Sequence, residues 1–216
     1  MKQSNYTAAL KVLRKDPVIA KLIKRFGMPD LSRYHGDISI FHSLLRSIVF
    51  QQISGSAARS IFSRVLALFP SDIPTPEALL KIRAPRLRKA GLSIQKIAYV
   101  KDLAKRCLDG TIDEKRFPRM STQEIVDHLI VVKGIGVWTA QMMLIFRLHR
   151  LDVLPTGDLA VRKGCMFAYK LKKEPTPKQM EKIAEPWKQY ASLAAWYFWA
   201  EYSARIKEKR TEGLVQ

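Results

Sequence analysis

The chain has 216 residues, with 38 Lys and Arg against 19 Asp and Glu, a formal net charge of +19. An excess of that size points to a polyanionic partner, because soluble domains mix both signs and keep a modest net charge, while 47% hydrophobic residues exclude a disordered basic tail. The stretch Met1 to Val18 lacks the apolar run and cleavage site of a secretory signal, and no apolar segment approaches the ~20 residues needed to cross a bilayer.

The dominant period is helical. Asp16 and Pro17 form an N-cap and first-turn pair, with Val18, Ile19, Leu22, Ile23 and Phe26 on one stripe before Gly27 stops the turn. Ile38 to Gln51 repeats the spacing through Phe41, Leu44, Leu45, Ile48 and Val49, which predicts a buried helix. Ser54, Gly55 and Ser56 break it, and a helix resumes over Ala57 to Phe69. Thr75, Pro76 and Glu77 open a short helix, and Ile94 to Leu108 gives another before Asp109 and Gly110 end it. The polar connection Asp109 to Met120 is the expected crossing between lobes. Ser121 with Glu124, and Thr176 with Gln179, are capping boxes ahead of further helices. Strand and repeat signals are absent, so the expected fold is all-α, about ten helices joined by short loops.

Between two helical stretches lies Lys133, Gly134, Ile135, Gly136. Glycines two apart permit a tight hairpin and close approach to its amides, which sit at the N-terminus of the helix Val137 to Leu148; that geometry binds phosphate, and it also suits an ordinary helix-connecting turn. Beyond it, Pro155, Gly157 and Asp158 form a turn that delivers a carboxylate to the start of another helix, where it could equally be a plain N-cap.

Hairpin, helix and Pro-x-Gly-Asp turn in this order resemble the helix-hairpin-helix base-excision DNA glycosylases, and look most similar to the 3-methyladenine DNA glycosylase II branch. Ser47 to Ser54, Lys81 to Lys96, and Pro186 and Trp187 through Trp196 and Tyr197 extend the resemblance over about Phe41 to Tyr202. It implies one glycosylase core over residues 1–216. One lobe would span about 37–110 and the other 1–36 plus 111–216, with the helix-hairpin-helix motif at 121–148, DNA in the cleft between lobes and no β-rich region before the core.

It further implies a base-flipping hydrolase acting on double-stranded DNA. Lys133, Gly134, Ile135 and Gly136 would hold a phosphate, with Thr139 adding a hydroxyl contact. A structural Na+ or K+ would sit on carbonyls of Ile130, Val132 and Ile135, with no other cofactor required and no iron–sulfur cluster. Gln52, beside Ile53 and Ser54, matches the wedge that fills the stack, although family wedges are often apolar. Asp158 matches the catalytic carboxylate, which stabilises the oxocarbenium-like sugar or orients water. Trp138, Trp196 and Met142 would line a pocket for cationic N3- or N7-alkylated purines.

In lyase branches the position of Trp138 carries a nucleophilic Lys, so a monofunctional enzyme without strand cleavage is expected. Cys107 and Cys165 make neither a disulfide framework nor a metal spacing and are expected to be buried thiols. His35, His42, His128 and His149 share no ligand spacing and are expected at the surface or as capping groups, and Asp152 is read as holding its loop. Basic stretches at Lys81 to Lys96, Lys170 to Lys173 and Arg205 to Arg210 would partly border the DNA. The protein is expected to be an intracellular monomer, nuclear in a eukaryote and cytoplasmic or nucleoid-associated in a prokaryote. The rival readings are a glycosylase for etheno or deaminated bases and a DNA-binding protein that uses the hairpin without catalysis.

Overall fold

The computed structural model describes residues 6–31 and 38–212, and among them it contains helices and turns but no strand. They fall into two compact units, one within Met1–Tyr34 and Leu144–Gln216, the other within His35–Met143. No helix among the described residues is long and apolar enough to cross a membrane.

The unit of residues 35–143 begins with α3 (Ile40–Phe50), after α1 (Tyr6–Leu13) and α2 (Pro17–Phe26) of the other unit. Ser39 caps α3, and its apolar stripe, Ile40, Phe41, Leu44, Leu45, Ile48 and Val49, is buried as the spacing requires. α4 (Gly55–Leu66) starts two residues earlier than expected, because Ser54 is its N-cap and accepts from the Ala57 N–H, so Gly55 and Ser56 are helical. α5 (Pro76–Lys81), α6 (Ala84–Lys89) and α7 (Ile94–Leu108) follow, then α8 (Thr122–Ile130) behind the expected Ser121–Glu124 capping box. α7 packs against α3, α5 and α6 and is the centre of this unit. Its Lys101 Nζ donates to the carbonyls of Leu79, Leu80 and Ile82 at 2.7–2.9 Å, closing the C-terminal end of α5.

The connection Asp109 to Met120 does not cross between units, contrary to the sequence-based expectation, and residues 111–143 belong with 35–110. The reason is hydrogen bonding that returns the chain: the Ile40 N–H donates to Glu114 Oε2 at 2.8 Å, and the Lys133 N–H donates to Asp102 Oδ2 at 2.9 Å. The unit boundary instead falls inside α9 (Val137–Phe146). The expected boundary after residue 36 lies outside the described residues.

The other unit holds α1, α2, α10 (Leu159–Ala168), α11 (Pro177–Ala184) and α12 (Ala191–Glu212). α10 packs along α12 so closely that a Cβ on Gly164 would overlap the Phe198 carbonyl. Asp16 ties this core together. Its Oδ1 accepts from the N–H groups of Val18 and Ile19, while Oδ2 accepts from Tyr169 Oη at 2.6 Å and Trp187 Nε1 at 3.2 Å. Burial and this carboxylate together push the Tyr169 hydroxyl above its ordinary range.

Candidate active site

The hairpin between α8 and α9 is closed by the Ile135 N–H donating to the Val132 carbonyl at 3.0 Å. Gly134 sits at φ +82°, and a Cβ there would overlap the Tyr99 ring, so this position demands glycine twice over. Gly136 differs: nothing lies within 4 Å of where its Cβ would be. Gly136, Val137 and Trp138 are exposed at the start of α9, where first-turn amides lack intrahelical partners and favour an anion.

Three residues of α7, spaced by three, hold this hairpin and the neighbouring loop. Lys96 Nζ donates to the carbonyls of Val49 and Gln51 at 2.6 and 2.8 Å, and burial lowers its pKa. Tyr99 lies against Gly134. Asp102 accepts from the Lys133 N–H and from Arg106 Nε. Burial alone would raise the Asp102 pKa, but those two donors and the charges of Arg106 and Lys133 outweigh it and hold the carboxyl below the usual range. Gln51 completes the link by donating from Nε2 to the Gly134 carbonyl at 2.7 Å. The next residue, Gln52, is exposed at φ 57°, with Ile53 37% exposed beside it. A left-handed non-glycine residue at a loop tip is strained, and such strain concentrates at functional positions.

In the other unit the turn after Pro155 ends on Asp158, whose N–H donates to the Pro155 carbonyl at 3.0 Å. Asp158 caps α10: its Oδ1 accepts from the Val161 N–H at 2.9 Å and also from Trp199 Nε1 at 3.1 Å, and the residue is 9% exposed. The Trp199 ring stacks on Phe146 with centroids 5.5 Å apart and 29° between planes. The preceding loop is tied by buried Ser192. Its N–H donates to the Leu151 carbonyl, its hydroxyl donates to the Arg150 carbonyl at 2.8 Å, and it accepts from the Val153 N–H at 3.1 Å. Asp152, read as the loop's holder, is exposed.

Residues 45–189, more than half of the chain, match the HhH-GPD superfamily base excision DNA repair protein family. The chain belongs to this family. Among its relatives, the DNA-3-methyladenine glycosylase 1 of Schizosaccharomyces pombe is 34% identical over 79% of this chain and 78% of its own length. The crystal structure of a DNA-3-methyladenine glycosidase from Bacillus halodurans is 30% identical, superposes with a TM-score of 0.86, and covers 93% of this chain and 91% of that one. The S. pombe 3-methyladenine DNA glycosylase in complex with abasic DNA superposes with a TM-score of 0.72 at 32% identity, over 89% and 94% of the two chains.

For an HhH-GPD member, the expected residues lie as follows. Trp138 is 51% exposed, and Met142, one turn further along α9, is half-buried. Thr139 is 8% exposed, so little of it reaches solvent for the expected hydroxyl contact. Lys133 and Ser54 are exposed, the latter as the α4 cap. Trp196 is half-buried edge-on to Tyr197, in the unit that carries Asp158, whereas Trp138 and Met142 fall in the other. Ile130, Val132 and Ile135 supply only carbonyl oxygen, a donor set that fits a hard monovalent cation, and the Val132 oxygen also accepts the hairpin bond. No group of three His, Cys, Asp or Glu among the described residues could hold a metal. His128 Nδ1 lies 2.9 Å from the Glu124 carbonyl, the His149 Nδ1 is buried without a hydrogen bond, and His35 lies outside the described residues. Cys165 is buried and Cys107 only half-buried; burial pushes both thiols up to about 12. The residues that sequence reading missed are Gln51, Tyr99, Asp102, Ser192 and Trp199. The spacing of 96, 99 and 102 on one helix face was the available signal for two of them, and that of Trp196 and Trp199 for another.

Proposed function

We propose that the protein is a monofunctional DNA glycosylase of base excision repair. It hydrolyses the N-glycosidic bond of alkylated purines, of the 3-methyladenine and 7-methylguanine type, in double-stranded DNA, and acts as a monomer. The observation that carries this reading is Asp158, a nearly buried carboxylate fixed at the N-terminus of α10 by a backbone amide and an indole N–H. The names of the S. pombe and B. halodurans relatives support the substrate class.

The target nucleotide leaves the stack, because its glycosidic bond is out of reach inside a duplex. The hairpin at Gly134 to Gly136 grips a phosphate through amides at the start of α9, and Gln52, held out at its left-handed tip, fills the vacated place. A monovalent cation on the carbonyls of Ile130, Val132 and Ile135 would fix the hairpin and add positive charge beside that phosphate. As the bond to the base lengthens, positive charge grows on the deoxyribose. Asp158 stabilises that charge electrostatically or orients the water that attacks the anomeric carbon. An alkylated purine is already cationic, so it departs without prior protonation, and an aromatic face such as exposed Trp138 attracts it. Position 138 offers no amine, so no Schiff base forms and the product is an abasic site.

Chromatography of bases released from methylated duplex DNA tests the reading. Wild type is expected to release 3-methyladenine and 7-methylguanine, and Asp158→Asn, which keeps the helix cap, to lose at least about 100-fold in rate. Equal release by both proteins overturns the role of Asp158. Release of etheno or deaminated bases alone would overturn the substrate class, and a borohydride-trapped protein–DNA adduct would overturn the monofunctional chemistry.

A further inference from the structure

We infer that Trp199 is a positioning residue that fixes the orientation of the Asp158 carboxylate; the inference rests on the catalytic reading of Asp158 above. The N-cap bond from the Val161 N–H is local, three residues along the chain, and by itself leaves the carboxylate plane free to turn about its last side-chain bond. The second donor to Oδ1 comes from another helix, 41 residues away, at 3.1 Å. That donor is itself immobilised. The Trp199 ring stacks on Phe146, which is 3% exposed, and α12 is pinned to α10 where Gly164 meets the Phe198 carbonyl.

The choice of an indole has a chemical reason. Its N–H donates and cannot accept, so the contact has one polarity only. It is also neutral, whereas a Lys or Arg in its place would cancel the negative potential that must face the developing sugar cation. A neutral donor aims the carboxylate without cancelling the potential it presents, and pre-aimed charge costs no reorganisation at the moment of reaction.

The test is Trp199→Phe, which retains an aromatic ring on Phe146 and deletes the donor. Single-turnover release of 7-methylguanine from prebound DNA is expected to fall about tenfold, with the DNA dissociation constant unchanged within about twofold. In an Asp158→Asn background the same substitution is expected to change the residual rate by less than about twofold, because the group it aims has lost its charge. A purely packing role would act equally in both backgrounds. Independently of any substrate, the Trp199 indole N–H resonance, assigned by its loss in Trp199→Phe, should move upfield in Asp158→Asn. An unmoved resonance, or a Trp199→Phe enzyme as fast as wild type while Asp158→Asn is inactive, overturns the positioning role and leaves the catalytic assignment standing. An Asp158→Asn enzyme as fast as wild type overturns the assignment beneath it.

Discussion

At Gly134 and Gly136 the same residue type meets two different demands. Gly134 needs glycine for internal reasons, a φ of +82° and the Tyr99 ring where a Cβ would stand. Gly136 has neither demand, since nothing occupies the space beside it. Gly134→Ala is therefore expected to cost about 2–4 kcal/mol of stability, from left-handed strain plus overpacking. Gly136→Ala should stay within about 1 kcal/mol, with backbone stiffening offsetting a poorer helix start. Both should weaken DNA binding, Gly136→Ala by crowding the phosphate alone. Thermal melts and binding isotherms on the two variants separate the cases, and equal melting temperatures would refute the distinction. The Gly-x-Gly spacing was legible in the sequence, but the unequal roles were not, because Tyr99 is 35 positions away and only the folded chain puts it there.

Several helix starts followed local chemistry and were legible for that reason, although α4 begins two residues before its expected start. Asp16, Ser121 and Thr176 cap where their side chains reach the amides two or three residues on, and α7 runs over the predicted Ile94 to Leu108. What α7 does was not legible, because Lys96, Lys101 and Asp102 act on backbone groups far away in sequence, and a charged helix face reads as solvated. Asp102 allows a pH test of this strut. Its folded-state pKa is depressed, so its contribution is present above the unfolded value of about 3.9 and is lost as pH falls through the lower folded value. Asp102→Asn is thus expected to be about 1–2 kcal/mol less stable than wild type near pH 6, with the gap closing below about pH 4. The Lys133 amide should exchange faster in the variant at neutral pH. A gap that stays constant from pH 6 to pH 3 would remove the carboxylate from the account.

At the scale of the whole molecule, the all-α class was readable from period alone, while the division into units was not. The polar run after Asp109 looks like a linker in composition, yet Glu114 within it accepts from the Ile40 N–H at the start of α3, and the boundary falls inside the apolar helix α9, where composition gives no sign. Positive charge is in excess in both units. Residues 35–143 hold 16 Lys and Arg against 9 Asp and Glu, a net +7, and the remainder 22 against 10, a net +12. Both units can therefore contribute to a salt-sensitive grip on DNA, and each phosphate neutralised steepens the log–log dependence of affinity on salt by about 0.9. On the proposed reading, the reaction depends on Asp158, a nearly buried carboxylate held by short-range donors, which bulk ions screen weakly. Raising salt from about 50 to 200 mM should thus weaken binding by orders of magnitude, while the single-turnover rate on DNA already bound changes by less than about twofold. Binding isotherms and prebound single-turnover assays across the same salt series measure the two quantities separately. A bound-state rate that falls in step with affinity would mean that the long-range field, rather than the local geometry at Asp158, sets the barrier.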